Sequence, residues 1–206
     1  MGSDAKAGGA VTGIITVIAE LAQLNLLTLL FCLPIITAGA SLTAMHAVLI
    51  AMVRNEEGYI GRMFIKAFRE NLKQATLLWL PFLMIFLAAG VDFMIAAIDG
   101  SLLPVPVVMA VFVVAVITYL LMQFVFPLQA HFESSVRNTL THAAILAAAY
   151  FPKTFIMAVL GLLPWYIGVK IIFLLPLTLI FGFSIPGFMS AKLYNSIFIR
   201  LEESSV

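Results

Sequence analysis

Three polar residues interrupt apolar stretches near the start of this chain: Glu20, Asn25 and His46. An acid, a carboxamide and an imidazole in such surroundings can build a proton relay or a substrate path, or tie two helices by a hydrogen bond. Glu20 and His46 each lie about seven residues from an expected helix end, roughly 10 Å deep at the α-helical rise. Adjacent antiparallel helices would bring them together, with Asn25 nearer the middle. The expectation is a Glu20–His46 pair, serving either as a structural hydrogen bond or as a proton or substrate site.

Other reactive types form no constellation. His131, Glu133 and His142 are metal-ligand types, but they straddle a junction without a helical i, i+4 pair, so a solvated loop is expected there. The single Cys32 lies in an apolar run and allows neither a disulfide framework nor a metal spacing. No Walker loop, nucleophile elbow or dinucleotide glycine pattern occurs. The chain reads as non-enzymatic, with no catalytic residue, metal or cofactor. Asp92 and Asp99 are expected near an interface, and Trp79, Trp165, Tyr166 and Tyr194 in interfacial aromatic belts.

The densest charge lies in "GYIGRMFIKAFRENLKQATLLWLPF". Arg62, Lys66, Arg69 and Lys73 are spaced by four, three and four, within an arc of about 60° on one helix face. Opposite them stand Ile60, Phe64, Ala67, Phe68, Leu72 and Ala75. This pattern predicts an interfacial amphipathic helix over residues 58–74. Four large apolar side chains at about 1.5–3 kcal/mol each outweigh four cations at about 1 kcal/mol each near an anionic leaflet. The apolar face would anchor, and the charges would choose the leaflet. Arg62, Lys66, Arg69, Lys73, Phe64 and Phe68 are thus the candidate lipid- or partner-binding residues.

The elements around these residues follow from composition. Of 206 residues, 63% are hydrophobic and 10% charged, with a mean hydropathy of +1.14. A soluble domain carries about a quarter charged residues, and several apolar runs here exceed the ~18 residues of a spanning helix. The fold class is all-α: a polytopic transmembrane helical bundle in one domain over residues 1–206. The expected spans are 11–36, 39–53, 75–98, 102–126, 154–169 and 171–191, the last interrupted by Pro176 and "IPG". "AGA" at Ala38–Ala40 resembles a signal-peptidase site. The stretch before it is too long and carries Glu20, Gln23 and Asn25, so a retained first span is expected. A second interfacial helix is expected over 134–150. The order span, interfacial helix, lysine, span then occurs twice, with Lys73 matching Lys153, a hint of internal duplication. Only Lys170 among the eleven Lys and Arg residues falls on the far side of this scheme. The positive-inside rule then places both termini in the cytoplasm.

Two stretches resemble a known family. "NLLTLLFCLPIITAGASLTAMHAV" (Asn25–Val48) and "MFIKAFRENLKQATLLWL" (Met63–Leu80) are similar to the YesL-like bacterial membrane proteins, whose domain has no assigned function. The pattern matches at Asn25, Leu26, Leu27, Leu33, Pro34, Thr37 and Gly39, and again from Phe68 to Ala75. The resemblance implies a bacterial cell-membrane protein that accompanies carbohydrate ABC importers, with permease or ATPase subunits as partners. The alternative is a small transporter or channel acting as a homo-oligomer through Glu20, Asn25 and His46. Membrane lipids are expected partners and nucleic acid is not, since the cations belong to a membrane-facing helix.

Overall fold

The computed structural model describes residues 2–56, 58–99 and 104–204. Apolar segments in a medium that offers the backbone no hydrogen bonds must satisfy every N–H and C=O internally, which a helix does. Every regular element among the described residues is helical. The helices are α1 (Gly2–Cys32), α2 (Ala38–Val53), α3 (Ile60–Asp99), α4 (Val105–His131), α5 (Val136–Ala149), α6 (Phe151–Lys170), α7 (Leu175–Phe181) and α8 (Ser184–Ser204). Short 3-10 turns at Ile35–Thr37 and Ile172–Leu174 lead into α2 and α7. Five stretches are long and apolar enough to cross a membrane, and the bent pair α7–α8 makes a sixth when taken as one span. The molecule is an all-α polytopic helical bundle. The expected start of the fourth span at Leu102 and the turn before it lie outside the described residues.

The largest departure from expectation is α3. The sequence pattern divides residues 58–74 from a span beginning at Ala75, whereas one helix runs through both. The junction "LKQAT" holds neither proline nor glycine, so nothing there interrupts the backbone ladder. α2 and the first half of α3 form an antiparallel hairpin. Asn55, at φ 55, makes the turn at one end, a conformation Asn tolerates through its short polar side chain. At the other end Gly39 meets Ala75 and Trp79. Residues 60–75 therefore run alongside α2, and Ala75 stands at the opposite end of α2 from Arg54. The expected scheme had put them at the same end.

The two copies of the suspected duplication differ here. The second breaks at Tyr150, φ −112 and ψ 37, and Pro152 sits in the first turn of α6. Pro152 has no N–H with which to continue the hydrogen-bond ladder of α5, which favours a break just ahead of it. The last span also breaks elsewhere than its prolines suggest. Pro176 lies in the first turn of α7 and Pro186 in the first turn of α8, where a missing N–H costs nothing. The bend of 51° falls between them, at Gly182–Phe183.

The core gathers around α2. Leu24, Ala44, Val48, Leu49, Phe64, Phe124 and Phe198 are wholly buried in one cluster. By contrast, Met84, Leu87 and Phe93 of α3 and Phe112 and Ile117 of α4 stand more than half exposed. Such a continuous apolar exterior is stable against lipid and not against water.

Candidate functional site

The four cations of α3 are all exposed. None of them has a carboxylate partner among the described residues. Arg62 lies over the Tyr59 ring at 5.3 Å, and Arg62, Ile65, Lys66, Arg69 and Glu70 line a shallow depression. The opposite face is largely covered by other helices. Phe64 has no exposed surface. Its ring meets Phe31 of α1 at 5.4 Å edge-on, and Phe68 meets the same ring at 4.8 Å. The expected anchoring in lipid is thus corrected for Phe64: α1 and α2 cover the aromatic face, and its burial stabilises the bundle instead.

Of the three polar residues of α1 and α2, Asn25 and His46 find separate partners. Asn25 is wholly buried and reaches across to the break between α7 and α8. Its amide donates to Leu179 O at 2.8 Å. Its carbonyl accepts from Phe183 N at 2.8 Å and Ser184 N at 2.9 Å. A helix that ends inside the bundle leaves such N–H and C=O groups without intrahelical partners, and one carboxamide satisfies three of them. The Ser184 hydroxyl beside it is buried without a partner. Removing an unsatisfied group of this kind costs nothing in contacts, so Ser184→Ala is expected to leave stability unchanged or raise it by up to about 1 kcal/mol, measured by thermal unfolding in detergent.

His46 does not pair with Glu20. Its Nδ1 is hydrogen-bonded to the Tyr194 hydroxyl at 3.0 Å, and Tyr194 is wholly buried in the core. Glu20 is half-buried and makes no hydrogen bond or ion pair among the described residues. The register explains why. Ser41 donates to Thr28 O at 2.8 Å, so the Ser41 face of α2 looks at α1. His46 follows five residues later, about 140° around the helix, and looks away toward α8. Tyr194, expected at an interface, is the residue sequence reasoning missed. Its signal was the buried spacing Ala191, Tyr194, Phe198 on one face of α8. Trp79 likewise packs inward, with its indole N–H on Ile35 O at 2.7 Å.

At the end of the bundle that holds Arg54, three distant segments meet on one carboxylate. Arg54 donates to Glu202 Oε1 at 2.9 Å and to Asn195 Oδ1 at 2.9 Å. His131 contacts the same Glu202 oxygen while its ring stacks on Phe198 at 5.6 Å. The apolar part of α8 ends at Ile199, and Arg200, Glu202 and Glu203 continue into polar surroundings. Hydrogen bonds from Arg54 and then His131 hold the Glu202 carboxyl below the usual carboxylate range. A depressed carboxylate contributes stability that is full above its unfolded pKa and is lost as pH falls through the folded value. The Glu202 side chain is 39% exposed, so solvent keeps the effect small. Glu202→Gln is therefore expected to cost about 1 kcal/mol at pH 7, and the gap to wild type should close when unfolding is measured well below the carboxylate range. His142 stands exposed on α5, apart from this cluster.

A cavity of about 250 Å³ lies between α2, α4, α6 and the α7–α8 break. Its walls include Met45, His46, Tyr119, Gln123, Phe126, Trp165, Phe183 and Ser190. The Tyr119 hydroxyl donates to Ala158 O at 3.1 Å, and Trp165 packs on Phe183 at 5.0 Å. The lining is largely apolar, with the polar atoms of His46, Tyr119, Gln123, Trp165 and Ser190 spaced among rings and methionines.

An all-α membrane bundle with a helix broken around a buried carboxamide is the class that fold and geometry define. Residues 21–93, from within α1 to within α3, match the model of a family described as "Protein of unknown function, DUF624". No curated protein matches the chain, and no solved structure matches it.

Proposed function

We propose that this chain is a non-enzymatic accessory or regulatory subunit of a carbohydrate ABC importer in the bacterial cell membrane, with both termini in the cytoplasm. The importer reading comes from the resemblance of residues 20–80 to the YesL-like proteins, a stretch that overlaps the matched family of unknown function. One observation carries the docking role. Arg62, Lys66, Arg69 and Lys73 form an exposed face without ion-pair partners among the described residues, on a helix whose other face is fixed in the core. Such a rigid cationic stripe suits an acidic surface on a permease or ATPase subunit, where like charges would cost several kcal/mol. The orientation rests on Arg54 and Lys153 gathering toward one end of the bundle, where Arg54 meets Glu202 and Lys153 meets Ser196.

The test is affinity purification from cells expressing a carbohydrate importer. Its permease or ATPase subunits are expected to co-purify with the wild type and to be lost on reversal of the four charges to Glu. Purification of the protein alone, with sugar uptake unchanged on its deletion, would end this reading.

The broken α7–α8 span favours a second reading, a small transporter acting as an oligomer, because discontinuous helices often carry transporter sites. Here, however, Asn25 occupies the amides at the break, and a largely apolar cavity of about 250 Å³ leaves most hydroxyls of a sugar unpaired. Reconstituted flux that disappears on Glu20→Gln would favour the transporter.

A further inference from the structure

The cavity beside the α7–α8 break has a volume of about 250 Å³. That exceeds the ~150 Å³ that admits benzene and falls short of the ~300 Å³ at which drug-sized sites begin. It holds one ring with a small substituent. Two wall positions are glycines set tightly against their neighbours. A Cβ on Gly161 would lie 2.7 Å from the Tyr119 hydroxyl, and one on Gly187 would lie 2.7 Å from Leu49 Cδ1. The rings of Tyr119, Phe126, Trp165 and Phe183 line it and offer edge and face contacts to an aromatic guest. Methionines among them supply an adaptable surface.

Three polar groups on this wall keep hydrogen-bonding capacity. His46 uses one ring nitrogen on Tyr194, leaving the other. Gln123 places its amide nitrogen 3.4 Å from Tyr119 O and its side chain against that of Tyr119, and its carbonyl oxygen accepts no hydrogen bond among those of the described residues. Ser190 is 6% exposed, and its hydroxyl likewise has no protein partner among them. A guest hydroxyl both donates and accepts, so it can satisfy such groups, whereas a hydrocarbon cannot. No Lys or Arg lines the cavity, so an anion would be desolvated without compensation.

We propose that this cavity is a binding site for a small aromatic molecule carrying one hydroxyl group, of the phenol class. The site is separate from the cationic face of α3 and stands or falls independently of the importer role.

The test uses the full chain in detergent and 4-bromophenol, whose bromine quenches indole emission. The chain has two tryptophans, and Trp79→Phe leaves Trp165, on the cavity wall, as the only reporter. Quenching is expected to saturate, to need about tenfold more bromobenzene than bromophenol, and to lose that preference in Gln123→Leu. Ser190→Phe, which fills the cavity, should abolish saturation. So should Leu162→Phe at the rim, where Leu162 is 55% exposed and the added volume spares the core. Linear quenching that is equal in the parent and in a folded filled variant would overturn the site. A bromophenol preference that is absent, or that survives Gln123→Leu, would overturn the hydroxyl assignment.

Discussion

Asn25→Leu is expected to destabilise the bundle by about 2–5 kcal/mol. The lower figure takes hydrogen bonds between membrane helices at about 0.6 kcal/mol each. The upper takes about 1.5 kcal/mol, within the ~1–3 kcal/mol range, for each of the three buried backbone groups left unpaired. Leucine keeps the branch and the number of side-chain heavy atoms of asparagine, although its methyls are bulkier than the amide groups they replace, which adds crowding to the lost bonds. What changes is that Leu179 O, Phe183 N and Ser184 N lose their partner where water cannot replace it. A fall in melting temperature of roughly 5–15 °C should follow in detergent. Ser184→Ala, one residue from the same break, is the control that should not fall. A melting temperature unchanged by Asn25→Leu would mean that the break closes without the carboxamide.

Gly39→Leu should have an effect of the same order. A Cβ at this position would lie 2.6 Å from Ala75 O and closer still to Trp79 Cβ. The first is a backbone atom that cannot rotate away. Even alanine must push α2 from α3, at about 1–3 kcal/mol, and leucine adds three more carbons to the same gap. Because Trp79 seals this end of the hairpin through Ile35 O, its emission should shift to longer wavelength in the leucine variant. An unshifted spectrum with wild-type stability would contradict the close packing of α2 on α3.

How much of this was legible in the sequence depended on range. Helices were readable because apolar runs longer than ~18 residues admit little else, and the cation stripe was readable because i, i+4, i+7 spacing is local. Asn25 and His46 stood out as polar residues in apolar runs, but their partners lie about 150 residues away along the chain, and no local pattern points that far. The Arg54–Glu202–His131 cluster was invisible for the same reason. The missed continuity of α3 had a different cause. Amphipathic and uniformly apolar segments read as separate elements, yet a change of pattern does not break a helix without a residue that breaks its backbone. The aromatic face of residues 60–75 looked lipid-bound because an apolar stripe reads the same whether lipid or another helix covers it.

α3 has 40 residues without interruption, a rod of roughly 60 Å in a hydrocarbon layer about half as thick. Unless it leans by about 60°, one end must rise out of the bilayer. Sinking four cations would cost on the order of 10 kcal/mol, so the emergent end is the one with Arg62 to Lys73, and α2, which runs alongside it, emerges with it. Pro81 sits midway along this rod, so the half packed on α2 and the outer half meet where the backbone ladder lacks one hydrogen bond, the place at which such a rod bends.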